Sequence, residues 1–502
     1  MVNLAHIVVA FTALLASGTP SLAEAGRVRK SWRNFSPQEK QTYKEAVKAA
    51  MKSGLHYAFA ATHATEPNSD LAHDNCGFLL WHRKFILAYE NMLRDQGPQF
   101  RSVTLPYWNY FQDHDRHIAN GVQCNTILDC SEFLQDLGGL GDRTGDVTVG
   151  AIYSDGHCGD DSFAKAACAS TDGKSNCGCI PRGPWDSAGQ QLAVTSSAPL
   201  EAFSVDGDAH NALREAIEGN FHAQVHRELA GAMGANGSPF DPVFYGHHAT
   251  VDLIHYIHNQ CYLADAGPAS RGKFKVFGSC SSKNGVPISG DNDIVMKAPT
   301  PEAQRYMDAV GSTYASMGDA TQLGSNSYSY QLDDYMTALL KSGGIGCAPA
   351  GRRLESEAEH DHDDHGHDHT YDGPTYVMTE PVAQIRQALH NCTTELKQQH
   401  AELEMSEVYR QVATVECEIT RQKLGHDFTD FSDEFLAGMN MSKDMHSYCF
   451  QLHQELATKQ RQPLVSETCK KRLSELTSTD ISSGLVNVYG SSYSPSKRRA
   501  RR

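Results

Sequence analysis

Apolar residues recur at intervals of three and four along several stretches of the chain, which is the spacing of an amphipathic helix. The clearest pattern runs from Phe78 to Arg94, where aromatic and aliphatic residues fill one stripe. A helix is also predicted from residue 37 to about residue 61, because Ser36-Pro37-Gln38-Glu39 has the form of a capping box with proline at the first helical position. Further helices are predicted over residues 206–230, 248–260 and 381–475, and one opening at 299–302. The fold class that follows is mainly α.

Residues 112–199 break this pattern, since they are rich in glycine, aspartate and cysteine. We expect loops held by disulfide bonds here, because fourteen cysteines in a secreted chain are typical of a disulfide framework. Cys177 and Cys179 could alternatively bind a soft metal ion. Four more cysteines are broadly spaced among the C-terminal helices and predict two disulfides that clamp a small helical bundle. They are Cys392, Cys417, Cys449 and Cys469.

Composition restricts the class of protein. The chain has 502 residues, enough for two or more domains, and its 40% hydrophobic residues and mean hydropathy of -0.46 are typical of a soluble globular protein. A formal net charge of -16 argues against nucleic acid as the main partner. No apolar segment is long enough to predict a membrane span.

The first 25 residues have the features of a secretory signal. An apolar run covers residues 7–16, and Ala23-Glu24-Ala25 is a small-residue cleavage pattern. A buried N-terminal helix is the alternative interpretation. Four tripeptides of the form Asn-x-Ser/Thr are compatible with glycosylation of a secreted protein. They begin at Asn34, Asn236, Asn391 and Asn440. We therefore expect the protein to be secreted.

Changes in composition divide the chain into five segments. They are the signal at 1–25, a large domain at 26–350, an acidic histidine-rich linker at 351–373, a helical cysteine-containing domain at 374–490 and a basic tail at 491–502. The five histidines of the linker could bind copper or zinc weakly, although a solvated linker needs no ligand. The tail is expected to be solvated or to bind anions.

Histidines at metal-ligand spacing lie within the helices predicted over residues 206–230 and 248–260. His222 and His226 are four residues apart, so on a helix they lie on one face about one turn apart and can hold one metal ion. The pair His247-His248 supplies a third imidazole. It follows a loop that ends in Asp241-Pro242, which fits the start of a helix.

A second histidine set lies upstream, at His63, His73 and His82. His73 and His82 lie on opposite sides of a straight helix, so the chain must bend between them, and Asp74-Asn75-Cys76-Gly77 favours a turn there. His56 is an alternative first ligand, since it shares a helical face with His63. We favour His63, which lies nearer to that turn. Imidazole ligands without cysteine or carboxylate suit copper, zinc, iron or nickel rather than magnesium or calcium.

Several motifs occur in a specific order along the first half of the chain. They are Trp81-His82-Arg83, Leu105-Pro106-Tyr107-Trp108, the His222/His226 pair, and Asp241-Pro242-Val243-Phe244 followed by His247-His248. Together they resemble the motifs of the type-3 copper proteins, which comprise the tyrosinases, catechol oxidases and haemocyanins. The resemblance extends from about residue 31 to residue 252. It implies a helical bundle that houses a dinuclear copper site, with disulfide-rich loops and a separate helical C-terminal region.

The resemblance also implies a reaction and its ligands. Two copper ions would bind O2, and the protein would oxidise catechols to quinones and, as in tyrosinases, hydroxylate monophenols. The ligands carried over are His63, His73 and His82 for one copper ion and His222, His226 and His248 for the other. His247 would support the copper site from outside the ligand set and would not itself bind copper. A haemocyanin-like protein that binds O2 without turnover is the alternative, although carriers usually consist of repeated units and this chain shows one set of motifs.

The chain departs from the family pattern beside the second site. Many tyrosinases have an asparagine after the first ligand there, which works with a nearby glutamate to hold a water that deprotonates the phenol. Ala223 stands at that position, and Glu218 is the expected glutamate. The departure argues against efficient monophenol hydroxylation and leaves catechol oxidation intact. Zinc proteases with an HxxxH pair have glutamate where Ala223 stands, which argues against a zinc hydrolase.

Two further features of the family can be compared. Several members carry a cysteine two residues before the second ligand, bonded to that histidine, whereas this chain has Leu71 there and Cys76 on the other side of His73. No thioether is therefore expected. In the family an additional C-terminal domain often covers the copper site until proteolysis. A C-terminal lid is therefore a hypothesis for this chain, although the sequence does not identify the segment that would form it.

Overall fold

The computed structural model describes residues 26–159, 164–187, 190–205, 210–266, 280–345 and 378–481. The expected signal at 1–25, the histidine-rich linker at 351–373 and the basic tail at 491–502 lie outside the described residues. Within the described ranges, no helix has the length and apolar character needed to cross a membrane.

The fold is mainly α, as the apolar pattern predicted. The α-helices are α1 Pro37–Lys52, α2 Leu55–Ala64, α3 Asn68–Ala72, α4 Phe78–Arg94, α5 Tyr110–Ile118, α6 Ile127–Cys130, α7 Glu132–Asp136, α8 Ala198–Phe203, α9 His210–Ile217, α10 Ala223–Leu229, α11 Val243–Ala266, α12 Pro301–Asp308, α13 Asp334–Ser342, α14 Glu380–Gln399, α15 Met405–Leu424, α16 Asp433–Gly438, α17 Tyr448–Ala457 and α18 Glu467–Thr477. A π-helical turn, Glu218–His222, joins α9 to α10.

Short strands form three small sheets. The strands are β1 Arg27–Arg29, β2 Thr144–Val149, β3 Ile152–Cys158, β4 Pro181–Arg182, β5 Cys280–Ser281, β6 Pro287–Ile288 and β7 Tyr328–Tyr330. β1 pairs with β7 in parallel, β2, β3 and β4 form an antiparallel sheet, and β5 pairs with β6 in antiparallel. The sequence predicted only loops between residues 112 and 199, which was wrong for α5, α6 and α7 and for the sheet of β2, β3 and β4. The β2–β3 hairpin turns at Gly150, which has a positive φ of 60°.

The first predicted helix is divided in two. Its start is confirmed, because the Ser36 side chain accepts a hydrogen bond from the Glu39 amide and the Glu39 side chain accepts one from the Ser36 amide. α1 ends at Lys52, however, and α2 starts after Gly54, whose φ is +78°. A Cβ at Gly54 would lie 2.0 Å from the Thr171 carbonyl oxygen, so only glycine allows the disulfide-rich loop to pack this closely.

Two other helical boundaries differ from the prediction. The helix expected over 206–230 is interrupted by the π-helical turn, where Asn220 has non-helical φ and ψ angles, and it ends at Leu229. Residues 206–209 lie outside the described ranges. The helix expected from His248 to Gln260 is longer, since α11 begins at Val243, whose amide donates to the Asp241 side chain. Asp241 therefore caps the helix start as its position predicted.

A buried charge network joins α4 to α11. The Arg83 guanidinium donates to the Asp252 carboxylate over 2.6 Å, and Arg29 donates to the same carboxylate over 3.2 Å. The hydroxyls of Tyr328 and Tyr330 donate to it over 2.6 and 2.7 Å. Burial raises the pKa of Asp252, but the two guanidinium groups outweigh it and hold the pKa below its usual value. Since Arg83 follows His82 and Asp252 lies one turn after His248, this network aligns two histidine-bearing helices.

The C-terminal helices form a disulfide-clamped bundle, as their cysteine spacing predicted. Cys392 bonds to Cys469 and Cys417 bonds to Cys449. The bundle has an apolar cluster of its own, shared mainly by α14, α15 and α18. The domain boundaries assigned from composition remain predictions.

The bundle also docks on the N-terminal helices through buried polar contacts. The Glu416 carboxylate accepts hydrogen bonds from the backbone amides of Ser196 and Ser197, over 3.0 and 3.1 Å, at the start of α8. Tyr448 and Arg410 both donate to Glu201 on α8. A carboxylate at a helix N-terminus is favourable because it satisfies amides that have no partner within the helix.

Replacing Asp252 tests whether the charge network supports the fold. We expect Asp252→Asn to lower the free energy of unfolding by about 3–5 kcal/mol, because it leaves the buried Arg83 guanidinium without its counter-charge. The measurement is urea unfolding followed by circular dichroism. Asp308→Asn, on the exposed face of α12, is the matched control and should change the free energy by less than about 0.5 kcal/mol. Equal changes in the free energy of unfolding for the two substitutions would contradict the conclusion that the charge network supports the fold.

Candidate metal centre

Three histidines from separate elements meet at the centre of the N-terminal region. His63 lies near the end of α2, His73 follows α3, and His82 lies in the second turn of α4. One ring nitrogen of each lies within 4.8 Å of those of the other two, and all three side chains are buried. The bend predicted between His73 and His82 is present, with Asp74 at a positive φ of 53° and Cys76 bonded to Cys280. The first set of histidines is therefore assembled in one place.

A second group lies next to the first. His222, at the end of the π-helical turn, and His226, on α10, meet His247 and His248 of α11, and the four have ring nitrogens within 4.8 Å of one another. All four are buried. The His248 ring stacks on the His82 ring of the first group, with centroids 4.3 Å apart and planes 15° apart. His247 instead lies against His222 and Tyr110, so His248 is the member that faces the first group.

Backbone carbonyl oxygens orient five of these imidazoles. In each case Nδ1 lies within hydrogen-bonding distance of a carbonyl. The pairs are His63 with Asn236 (2.8 Å), His73 with Ser69 (3.1 Å), His82 with Phe78 (3.0 Å), His222 with Glu218 (3.3 Å) and His226 with Met233 (2.6 Å). A carbonyl only accepts, so Nδ1 carries the proton and Nε2 presents a lone pair. Such contacts typically fix the tautomer of metal-binding histidines.

The Nε2 atoms lack the partners that buried acceptors need. Those of His73, His222 and His226 have no hydrogen-bond partner within the described ranges. Nε2 of His63 and Nε2 of His82 lie 3.3 Å apart, so two lone pairs face each other. An unsatisfied buried acceptor costs about 1–3 kcal/mol. Metal ions at the two groups would satisfy these nitrogens, so the residues fit a metal centre.

Burial keeps the imidazoles neutral. It lowers the pKa of His63 to about 4 and that of His226 to about 3, since an imidazolium loses its hydration there. The pKa values of His82, His222 and His248 are also well below the usual value, because of burial and then neighbouring histidines. A neutral imidazole is the form that binds a metal, so the centre is ready to bind at physiological pH.

His56, the alternative first ligand, lies away from both groups. Its Nδ1 is 2.8 Å from the Tyr89 hydroxyl and its Nε2 is 2.9 Å from the Phe240 carbonyl oxygen. Both ring nitrogens are therefore engaged. The geometry favours His63 over His56, as the position of His63 near the turn predicted.

Glu218 is a buried residue whose carboxylate has hydrogen-bond partners of its own. One oxygen accepts from the Asp74 amide over 2.7 Å, and the other accepts from Arg214 over 3.1 Å. Burial raises the pKa of Glu218 to about 7 although Arg214 opposes the shift. Its carbonyl oxygen also holds Nδ1 of His222. Glu218 thus positions a candidate ligand, and the water-holding role expected of its carboxylate remains a prediction.

No sequence pattern indicated which segment packs beside the second group. Residues 431–447, here named the covering segment, place Phe431, Leu436, Met439 and Met441 in one apolar cluster with Ala223. A Cβ on Gly219 would lie 3.6 Å from Cγ of Met445. Only the apolar methionine-rich composition of this segment could have indicated a buried contact, and it does not name the surface contacted.

The covering segment is linked to the first group through one residue. The Asn236 amide donates to the Gly438 carbonyl oxygen over 2.8 Å, while the Asn236 carbonyl accepts from Nδ1 of His63. Ser447 donates to the Gln224 side chain over 2.9 Å. Asn236 is also buried and donates to Ser69, although the sequence marks it as a glycosylation acceptor.

A third group is close enough to hold a metal ion but is already satisfied. It consists of His114, Asp115 and Glu416, where α5 meets α15. His114 contacts Thr420, and Asp115 accepts from the Tyr335 hydroxyl over 2.7 Å. Glu416 accepts from the amides at the start of α8. These hydrogen bonds explain the group as part of the interface with the C-terminal bundle.

The cysteines assigned to a possible soft-metal site are disulfide-bonded. Cys177 bonds to Cys168, and Cys179 bonds to Cys158. The disulfide interpretation is therefore confirmed and the metal alternative is wrong. Cys76 is likewise engaged with Cys280, so it forms no thioether with His73.

Comparison with known proteins agrees with the histidine geometry. The family model of the common central domain of tyrosinase matches residues 53–260. A tyrosinase of Streptomyces antibioticus is 30% identical over 250 residues, which cover 45% of this chain and 81% of that protein. The putative tyrosinase-like protein tyr-3 of Caenorhabditis elegans is 28% identical over 239 residues, or 46% of this chain, and the match spans only 31% of the nematode protein.

Two solved structures are similar over a larger part of the chain. A polyphenol oxidase variant from Thermothelomyces thermophila has a TM-score of 0.42 and 18% sequence identity, covering 62% of this chain and 90% of that one. A functional unit of octopus haemocyanin has a TM-score of 0.40 and 16% identity, covering 63% and 72%.

Substituting individual histidines tests which of them bind metal. We expect His63→Gln to lose one metal ion per chain, since Gln lacks the imidazole lone pair, whereas His56→Gln keeps the full content. His248→Gln and His247→Gln should differ in the same way. The measurement is metal content by mass spectrometry after dialysis. Full metal content in His63→Gln together with a loss in His56→Gln would reverse the assignment.

Proposed function

Because the chain belongs to the tyrosinase family of type-3 copper proteins, we propose that it is a secreted copper oxidase that uses O2 to convert catechols into quinones. The observation that carries this proposal is the pair of facing histidine groups, whose His82 and His248 rings stack at 4.3 Å. Two ions held in those groups would be close neighbours. The proposed cofactor is therefore two copper ions, the first held by His63, His73 and His82.

The second ion would be held by His222, His226 and His248. Imidazole suits copper in both of the oxidation states that such a reaction requires. The bound metal would supply the binding of O2 and the two electrons exchanged with a catechol. The chain's own contribution is to fix Nε2 of five of these ligands, all but His248, by a carbonyl at Nδ1, and to exclude water from the rings.

Aromatic side chains restrict the space beside the two histidine groups. Phe244 contacts the His248 ring at a centroid distance of 4.1 Å, and Phe78 contacts both His82 and His222 at 4.7 and 4.8 Å. A planar phenol or catechol ring would pack against such apolar walls. This environment supports small aromatic substrates.

Monophenol hydroxylation requires more of the protein than catechol oxidation, because a monophenol must lose its proton before it reacts. Ala223 offers no polar group beside His222, and its methyl group instead packs against the covering segment. Both oxygens of Glu218 are hydrogen-bonded to Asp74 and Arg214. These features support a protein that oxidises catechols more readily than it hydroxylates monophenols.

The covering segment supports a second proposal, that the resting protein admits O2 more readily than phenols. Phe431, Leu436, Met439 and Met441 cluster at Ala223, next to the candidate ligand His222. A haemocyanin-like O2-binding protein would use such shielding permanently, whereas a latent oxidase would lose it on cleavage. We propose the latent oxidase, with cleavage near residue 352 as the activating step.

Substrate assays on one copper-loaded sample test the oxidase. We expect two copper ions per chain, a near-ultraviolet absorption band after addition of peroxide, and turnover of catechol that exceeds turnover of tyrosine at least tenfold.

Ala223→Asn should raise tyrosine hydroxylation several-fold, because it restores a polar group that can hold a water. Glu218→Gln in that background should remove the gain. Bound zinc without copper, or an inert copper protein after cleavage, would refute the oxidase.

Opening the covering segment tests latency. We expect Leu436→Asp to raise catechol turnover at least fivefold before any proteolysis, because a buried carboxylate expels the segment from its apolar contacts. Leu403→Asp, which places the same charge at the edge of the C-terminal bundle, is the matched control and should leave turnover unchanged. The proposal of a latent oxidase would be contradicted if proteolysis abolished the increase in catechol turnover. Unchanged catechol turnover in Leu436→Asp despite intact copper content would contradict it as well.

A further inference from the structure

The buried His56 has a defined proton arrangement although it lies outside the metal centre. Its Nε2 faces the Phe240 carbonyl oxygen at 2.9 Å, so Nε2 must carry the proton. Nδ1 therefore accepts, and its partner at 2.8 Å is the Tyr89 hydroxyl. Both side chains are fully buried. The result is a phenol that donates to a neutral imidazole with no water between them.

Tyr89 is connected to the first histidine group through aromatic rings. It stacks on Tyr245 with centroids 3.4 Å apart and planes 8° apart. Tyr245 in turn stacks on Phe85 at 6.3 Å, and Phe85 contacts His63 at 5.7 Å. The rings form a continuous series from a candidate copper ligand to the phenol–imidazole pair.

The other end of the series points to the surface. Tyr43 lies on α1, which packs against α4, the helix of Tyr89. Burial raises the pKa of Tyr89 and of Tyr245, and Tyr43 adds to the shift in both. Tyr43 also lines a surface cavity of about 150 Å³, together with Thr42 and Val103. A small aromatic reductant in that cavity would lie against the Tyr43 ring.

Packing alone does not account for the hydroxyl groups in this series. The hydroxyls of Tyr43 and Tyr245 are buried and have no hydrogen-bond partner within the described ranges. Phenylalanine would fill the same space without the cost of an unsatisfied polar group. A tyrosine ring loses an electron far more easily than a phenylalanine ring, so oxidation chemistry gives these residues a use.

We propose that Tyr89, Tyr245 and His56 form an electron-transfer route between the copper centre and the cavity at Tyr43. This inference rests on the proposed copper centre. In the forward step Tyr89 loses one electron, which reduces the O2-oxidised copper centre by way of Tyr245 and Phe85. The phenolic proton moves to Nδ1 of His56, so the products are a Tyr89 radical and a protonated His56.

The cycle closes with an external reductant. A small phenol in the cavity gives one electron through the ring of Tyr43 and releases its own proton to solvent. The Tyr89 radical takes that electron and recovers its proton from His56, which restores both side chains. Each passage thus oxidises one phenol molecule by one electron and reduces the copper centre by one electron.

The role that we assign to this route depends on the covering segment, which would exclude substrate from the centre. A centre that accepts O2 while its substrate is excluded would hold a strong oxidant beside its own ligands, such as His63. Electrons delivered through Tyr89 would discharge that oxidant before it damages the imidazoles. The route therefore protects the resting protein between loading with copper and activation.

Freeze-quench electron paramagnetic resonance tests the route in the full copper-loaded chain. We expect a tyrosyl radical when O2 is added to the reduced protein without substrate, and a signal at least tenfold weaker in Tyr89→Phe. Tyr245→Phe removes a hydroxyl that has no partner, so it should fold normally and still weaken the signal several-fold. Tyr153→Phe, at a tyrosine that is 61% exposed, is the matched control and should leave the signal unchanged.

Peptide mass spectrometry gives a second readout. After prolonged exposure to O2, oxidation of the peptide containing His63 should be at least threefold greater in Tyr89→Phe and Tyr245→Phe than in the unmodified chain. Zinc-loaded protein should show neither the radical nor the oxidation.

The outcomes separate this inference from the proposed function. A near-ultraviolet band after peroxide together with no radical, or a radical that Tyr89→Phe and Tyr245→Phe both leave intact, would overturn the route and leave the oxidase standing. A signal that disappears in Tyr153→Phe would assign the radical to the surface and overturn the route as well. Absence of both copper and the band would overturn the oxidase, and the route with it.

Discussion

Backbone carbonyls orient the buried imidazoles at the centre of the fold. Five candidate ligands have Nδ1 held by a carbonyl, which leaves Nε2 as a lone pair in an interior that cannot hydrate it. Without a cation the facing nitrogens of His63 and His82, 3.3 Å apart, repel each other. The ion pair of Arg83 with Asp252 aligns α4 with α11, the helices that carry His82 and His248. The helical bundle is thus built to hold positive charge at its centre.

The C-terminal region contacts elements that lie beside the histidine groups. Glu416 anchors the bundle to the start of α8, while the covering segment reaches the second histidine group at Ala223. Asn236 connects this segment to His63, because its amide and carbonyl contact Gly438 and the imidazole respectively. Release of the segment would therefore remove a contact of the residue that orients His63.

The spacing of residues along the sequence predicted those features that depend only on local structure. The helix at Phe78–Arg94, the cap at Ser36 and the turn after His73 follow from periodicity and turn chemistry, and the two histidine groups assemble as their spacing indicated. The break at Gly54 was missed because its cause, the Thr171 carbonyl, lies more than a hundred residues away. The contact of the covering segment with Ala223 is equally non-local. The carbonyl partners of His63 and His226 also belong to loops whose path no periodicity specifies.

Anomalous diffraction at the copper absorption edge, from crystals of the copper-loaded chain, would locate the metal ions themselves. We expect two peaks, one enclosed by Nε2 of His63, His73 and His82 and the other by Nε2 of His222, His226 and His248. We also expect that His56 remains bonded to Tyr89 and lies away from both peaks. A single peak, a peak coordinated by His56 or His247, or density only on the protein surface would contradict this ligand assignment.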